Sequence, residues 1–452
     1  MIGSEKTKQI LDQALKASSA EQTEVTLIAQ ESQLTRFANN YIHQNVAETN
    51  AILSVRAVIG KRQGMATTNI LSADGIEQAL EAARLAALKQ PEDPGFPGLV
   101  ASAPPQQVPA LDEETAGCSP AERAEAVGII CRKAKEKNTN SSGYFRTGMV
   151  ETAIANSLGT NTYHIGSVAD ISVTAMTDNS AGRARKSTWK INELNPEKIG
   201  DEAIDRADFG RNPRKIEPGE YTVVVEPYVT EDLIGMLAWI GMSATAVQEE
   251  RSWMNDRMGK QVMSPLVSIW DDGQDLTGYP IPTDYEGVPK QCVHIVEKGV
   301  IGSPVYDTYT ANKEGKQSTG HAIPASLKSY GLGPFPFNLF MAGGENSVDE
   351  MIQSTQRGLY IATFWYTRPM HPRDAVITGM TRDGVFMIED GQLAYPVKNL
   401  RFTQSYVEAL ANVEMLSRET RLLIDEFDSG INVASRVPAL KISAFNFTGS
   451  TV

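Results

Sequence analysis

Cysteine, histidine and positive charge are all scarce in this 452-residue sequence. There are three cysteines, five histidines, and 42 Lys and Arg against 55 Asp and Glu. Cys118, Cys131 and Cys292 are too few and too scattered for a disulfide framework. A net charge of −13 repels phosphate backbones, and no Lys/Arg cluster marks a nucleic-acid footprint. No nucleic-acid partner is therefore expected. No apolar run reaches the roughly 18 residues of a membrane span. The opening residues, MIGSEKTKQILDQAL, lack the continuous apolar stretch of a signal peptide. The expected location is the cytoplasm, with no membrane association.

What is present is ordinary globular material. Hydrophobic residues make up 41% and charged residues 21%, and the length is too great for one core. Ile10, Leu11, Ala14 and Leu15 fall at helical spacing over residues 4–18. EVTLIA and AILSVRAVIG alternate as strands, and the polar LTRFANNYIHQN between them predicts a further strand or hairpin. Residues 73–89 form the clearest helix, ended by Pro91. Pro and Gly then crowd residues 91–118, which read as a linker. A helix resumes at Ser119-Pro120 and runs to about Lys137. Residues 142–181 predict a β-meander turning at Ser157–Thr160, followed by a polar stretch and a helix near 197–208.

Asn212-Pro213 and Glu217-Pro218-Gly219 punctuate the next join. The expected organisation is α+β in two domains. Residues 1–215 would form an N-terminal domain of helices and antiparallel sheet. Residues 216–452 would form a mainly β C-terminal domain with a few helices. There YTVVVEP reads as a buried strand, and TEDLIGMLAWIGMSATAVQEE as one long helix capped by Thr230. Further helices are expected near 346–358 and 403–417.

The search for chemistry returns little that is local. No two of His43, His164, His294, His321 and His371 lie within five residues, so His-Glu-x-x-His is absent. Cys292-Val293-His294 would need two further ligands to hold a metal, and reads as structural. Ser187-Thr188-Trp189-Lys190 spells Ser-x-x-Lys, but in polar surroundings with no helical face. Carboxylates gather between Asp271 and Gly287 in a segment whose Gly and Pro residues predict a turn. Gly343-Gly344-Glu345-Asn346-Ser347 opens a predicted helix and is explained by capping as well as by anion binding. Ser318-Thr319-Gly320 is likewise a turn.

The order of several segments resembles the TldD/PmbA family, whose members are often labelled modulators of DNA gyrase. The opening block LTRFANNYIHQNVAETNAILSVRAVIGKRQGMATTN and the block IANSLGTNTYHIGSVADISVTAMT are similar to it. The strongest match centres on Asp284–Pro289 (Asp-x-Glu-Gly-Val-Pro), followed by a Gly-Val turn, Tyr306-Asp307 and Ser318-Thr319-Gly320. GGENSVDEMIQSTQRGLYIA and TRDGVFMIEDGQLAYPVKNLRFTQS resemble its closing blocks. The resemblance covers nearly the whole chain.

It implies a metallopeptidase system in which TldD-type members carry His-Glu-x-x-x-His on the helix after the YTVVVEP strand, to bind zinc and supply a general base. Here Gly235, Met236 and Ile240 stand at those positions, and no histidine occurs between His164 and His294. The chain is thus expected to be a PmbA/TldE-like, non-catalytic subunit, with no catalytic residue, metal or cofactor of its own. Zinc is expected only in a TldD-like catalytic partner. Partners would be that subunit, or a second copy in a dimer, and unfolded peptide. Asp284, Glu286, Ser318 and Thr319 are the candidate peptide-binding loop residues. The alternatives are an independent metallopeptidase with an atypical site drawn from Cys292, His294, His321 and His371, and a regulatory protein associated with DNA gyrase.

Overall fold

The computed structural model describes residues 1–101, 107–328, 331–428 and 430–450. Strands β1 (Gln22–Ala38), β2 (Tyr41–Ile59), β3 (Arg62–Thr68), β4 (Asn140–Asn156), β5 (Asn161–Met176) and β6 (Ala181–Thr188) form one antiparallel sheet. Their order is β3-β2-β1-β4-β5-β6. The β1–β2 turn is Asn39-Asn40, both at positive φ, which asparagine tolerates better than most residues. The expected meander is present as β4 and β5.

Helices cover one face of this sheet. Leu11 and Ala14 of α1 (Ser4–Ala17) and Ile76, Leu80 and Ala83 of α2 (Ala73–Lys89) pack on Val25, Leu27, Leu53 and Val55. After the short α3 (Glu113–Gly117), α4 (Pro120–Glu136) starts from a capping box in which Ser119 and Glu122 satisfy each other's backbone N–H. Its Val127 and Ile130 join Ile204 of α5 (Pro196–Phe209) over Ile171 and Val173. Within the expected linker, Phe96 and Leu99 are buried against Val58; residues 102–106 lie outside the described residues. The polar stretch after residue 181 is a strand. Its Arg185 and Ser187 are buried and bind Asp170 of β5 at 3.2 and 3.0 Å, so burial without apolar side chains hid it.

The second sheet has eleven strands among the described residues. They are β7 (Gly219–Val225), β8 (Ile269–Asp271), β9 (Val293–Glu297), β10 (Val300–Ile301), β11 (Asn338–Met341), β12 (Arg357–His371), β13 (Val376–Glu389), β14 (Gln392–Pro396), β15 (Leu400–Ser405), β16 (Val413–Asp428) and β17 (Ile431–Ser450). The path runs β10-β9-β8-β11-β17-β15-β13-β12-β7, and β7 pairs back onto β17, closing a ring of five strands. Phe402, Phe445 and Phe447 belong to its core.

The expected long helix at 230–250 is two helices, α6 (Pro227–Gly241) and α7 (Ala244–Gln248). Pro227 occupies the first turn, so the helix begins before Thr230, which is buried inside it. Ser243 starts the second by accepting from Thr245 N–H. The helices expected near 346–358 and 403–417 shrink to α10 (Val348–Gln353) and α11 (Tyr406–Ala411), because β12, β15 and β16 claim the flanking residues. Two more short helices, α8 (Thr308–Lys313) and α9 (Ala325–Lys328), complete the unit. No helix among the described residues is long and apolar enough to cross a membrane.

Candidate functional site

Helix α6 follows β7 directly and buries Val229, Leu233, Ile234, Leu237 and Ala238 in the main core. Its other side carries Glu231, Asp232, Gly235, Met236 and Trp239. A Cβ on Gly235 would meet nothing within 4 Å, so that position faces open space. Met236 is half-buried against the core, and Ile240 is 3% exposed within it. Positions 235 and 240 point roughly 140° apart around a regular helix. Neither carries a donor atom, and the Met236 thioether moves no proton. These side chains do not fit a zinc ion. Among the described residues, no three His, Cys, Asp or Glu gather as a metal-binding set.

The acids of α6 are committed elsewhere. Asp232 accepts from Tyr406 Oη at 2.6 Å and Thr367 Oγ1 at 2.7 Å; burial pushes its carboxyl up to about 6 against those two bonds. Burial, then the neighbouring Asp425 carboxyl, holds Glu231 well above the usual range, while Arg185 opposes them. Glu226, which precedes the helix, pairs with Arg206 of α5 at 3.0 Å and accepts from Tyr360. The start of α6 is thus held to the first sheet's helices by buried charge.

A second polar centre lies where the turn Thr283–Pro289 meets the first sheet. Asp284 Oδ1 accepts from the N–H groups of Glu286 (2.9 Å) and Val288 (2.8 Å), and Oδ2 from Ala322 N–H at 2.9 Å. Gly287 sits at φ +77°, and a Cβ there would lie 2.5 Å from Thr160 Cγ2 of the other unit. The turn therefore needs glycine twice over, for conformation and for clearance. Glu286 reaches across to Arg56 of β2 at 3.4 Å, and Arg56 also binds Glu24 of β1 at 2.9 Å. Lys328 lies 3.8 Å from Glu286. A cleft of about 250 Å³ beside them is walled by Phe96, Leu99, Thr308, Ile323 and Leu332.

Ser318 and Thr319 sit on the neighbouring segment but serve its backbone. Ser318 Oγ donates to Tyr306 O at 3.2 Å, and Thr319 Oγ1 accepts from Tyr306 N–H at 2.8 Å. Thr319 continues into His321 Nδ1 (2.9 Å), and His321 Nε2 into Asp271 Oδ1 at 2.8 Å. Lys290 Nζ lies 3.5 Å from the same carboxylate and donates to Asn338 Oδ1 at 2.6 Å. Burial would raise Asp271, but Lys290 and His321 outweigh it and hold the carboxyl at about 2. Burial pulls His321 below the usual histidine range, so its ring is neutral, donating through Nε2 and accepting the Thr319 hydroxyl. A hydroxyl, an imidazole and a carboxylate in line is a catalytic order. Here His321 and Asp271 are 0% exposed, and the line ties strands together instead.

The structure brings Asp284 and Glu286 to one turn and Ser318 and Thr319 beside it, about a common loop cluster. It does not gather the four dispersed histidine and cysteine candidates into one site. Cys292 Sγ and His294 Nε2 are 4.0 Å apart on an exposed edge, His321 is sealed inside, and His371 sits at the β12–β13 hairpin end. Arg56 and Lys290, which organise both polar centres, carried no local signal. Their partners lie far away in sequence.

Family models assign residues 23–87 to PmbA/TldA metallopeptidase domain 1, 101–208 to its central domain and 218–449 to its C-terminal domain. The chain belongs to the PmbA/TldD family. This PmbA/TldD chain is 25% identical over 421 residues to a "Metalloprotease PmbA homolog" of Haemophilus influenzae, covering 88% of each. It is 27% identical over 224 residues to a "Metalloprotease TldD homolog" of the same organism, where the match spans 46% of the chain and 44% of the relative. Several other curated relatives are likewise matched over less than half their length. The fold is that of TldE from Thermococcus kodakarensis, with a TM-score of 0.87 at 19% identity over 98% of this chain and 100% of that one. A proposed modulator of a DNA gyrase from Thermotoga maritima shares it, with a TM-score of 0.84 at 19% identity and the same coverage.

Proposed function

We propose that this chain is the PmbA/TldE-like, non-catalytic member of a TldD/TldE-type peptidase assembly acting on small unfolded peptides. The observation that supports this reading is α6. In the helix where the family resemblance puts the zinc motif, Gly235 faces space, Ile240 packs in the core, and every nearby carboxylate already has partners. The chain would complete the assembly and shape peptide access beside the Asp284–Glu286 turn, while a TldD-like subunit supplies the zinc and the general base.

The test is co-expression with a family member that carries His-Glu-x-x-x-His. The two chains should co-purify, and peptide cleavage should need the second chain's motif. Chelator-sensitive cleavage by this chain alone, with stoichiometric metal, would overturn the proposal.

A further inference from the structure

The cleft beside the Asp284–Glu286 turn draws its walls from both units. Phe96 and Leu99, from the segment after α2, and Ile323 and Leu332, from the second unit, enclose about 250 Å³. Asn312 Nδ2 of α8 donates to Gly95 O at 3.2 Å, which fastens one wall to the other. An apolar cavity of about 150 Å³ holds a benzene ring. This cleft therefore takes a large apolar side chain and leaves room for a charged group beside it.

The polar lining is unevenly satisfied. Arg56 binds Glu24 at 2.9 Å and Glu286 at 3.4 Å, and Lys328 lies 3.8 Å from Glu286. Glu286 Oε2 also accepts from Thr308 N–H at 3.3 Å. Asp307 differs. It is 6% exposed and lines the same cleft. Its Oδ1 caps α8, accepting from Thr310 N–H at 2.8 Å and Thr310 Oγ1 at 2.6 Å. Its Oδ2 has no hydrogen-bond or ion partner among the described residues. Capping a helix needs one oxygen, and a serine would serve. A carboxylate this buried, with an oxygen to spare, is costly unless a cation meets it. Burial, then the Glu286 carboxyl, pushes the Asp307 carboxyl up, and the Thr310 bonds and Lys328 offset this only in part.

We propose that this cleft binds the free amino end of an unfolded peptide whose first side chain is large and apolar. The ammonium meets Asp307 Oδ2, and the side chain fills the space walled by Phe96, Leu99, Ile323 and Leu332. Half-buried Asp93, also in the lining, adds negative charge on the same side of the balance. Which end of a peptide is held follows from which groups are already spent. Both cations of the lining are drawn to Glu286, so a terminal carboxylate would have to displace it. An ammonium displaces nothing and brings three donors. The peptide is taken from the function proposed above; what is added is the end that is held and the residue that holds it.

Binding to the full chain is measured by titration calorimetry near pH 6.5, where a peptide amino terminus is charged. Phe-Ala-Ala-Ala-amide should saturate the chain below about 5 mM. Acetylating its amino end should weaken binding at least about tenfold, and so should an aspartate in place of its phenylalanine. Asp307→Asn keeps a capping side chain for α8, and circular dichroism checks its fold. It should weaken the free peptide at least about tenfold while leaving the acetylated one unchanged, a selective loss that a distorted cleft would not show. Absence of saturation, an acetylated peptide that binds as tightly, or an Asp307→Asn chain that still tells the two apart overturns the proposal. Phenylalaninamide binding as tightly as the tetrapeptide overturns it as well, because a free amino-acid derivative would then be the occupant. Failure to co-purify with a TldD-type chain, with this binding intact, would overturn the assembly and not the cleft.

Discussion

The two sheets are knitted differently. In the six-stranded sheet every neighbouring pair but β1–β4 is adjacent in sequence, and all pairings are antiparallel. In the eleven-stranded sheet β17 alone pairs with β7, β11, β15 and β16, and β7–β12 and β11–β17 run parallel. The first is fixed by turns and by alternating apolar faces. The second joins segments hundreds of residues apart and keeps Asp271, Lys290 and His321 sealed at its heart. Where local sequence cannot set a register, specific buried partners do so, and the cost of disturbing them is correspondingly large.

That contrast is broken most severely at Lys290. Lys290→Met leaves Asp271 with a neutral imidazole and one backbone N–H, and should cost about 3–5 kcal/mol. A fall in urea midpoint of that size, with the second unit's tryptophan signal lost first, is the expected result. An unchanged midpoint would show that the buried charge does not hold this sheet.

Acid separates the two sheets more finely. His164 of β5 is half-buried, and burial, against a smaller opposing effect of the Pro280 backbone, pulls it down to about 4. The unfolded chain binds its proton near 6.5, so the folded state's advantage is complete above that pH. It is lost as pH falls toward 4, by at most about 3 kcal/mol. Asp271 has its carboxyl held at about 2. Its contribution is intact above the unfolded value near 4 and is lost between about 4 and 2. Asp232, with its carboxyl held at about 6, opposes the first loss, so the effect is read as a difference: His164→Phe should lose less stability than the unaltered chain between about pH 6.5 and 4, and follow it between about 4 and 2. The smallest effect is expected at Ser119→Ala. Loss of the capping box should cost about 1 kcal/mol and speed amide exchange in the first turn of α4, with no change in the second sheet.

The same contrast explains what could be read from the sequence. The helix at Ala73–Lys89, the Ser119-Pro120 start and the Ser157–Thr160 turn are local events with local signals, and the structure has them where expected. Strand β6 was hidden because Arg185 and Ser187 are buried by polar contacts rather than apolar ones. The break between α6 and α7 was hidden because Gly241 is set by Trp253, whose ring a Cβ there would meet at 2.3 Å. Of the candidate site, the apolar character of α6 was legible outright. The Arg56–Glu286 and Asp271–His321 pairings were not, since nothing near either residue in the chain announces a partner so distant.

The closing of the five-strand ring also sets a schedule for synthesis. Gly219 at the start of β7 pairs with Phe447 of β17, so a strand already made must wait while more than two hundred further residues are added. At ribosomal speed that is roughly ten to fifty seconds. The six-stranded sheet, by contrast, has all its partners once residue 188 has emerged. Helix α6, with Leu233, Ile234 and Leu237 destined for the core that β17 completes, spends that interval with its apolar face uncovered. The growing chain thus offers a hydrophobic helix to chaperones until β17 has been made.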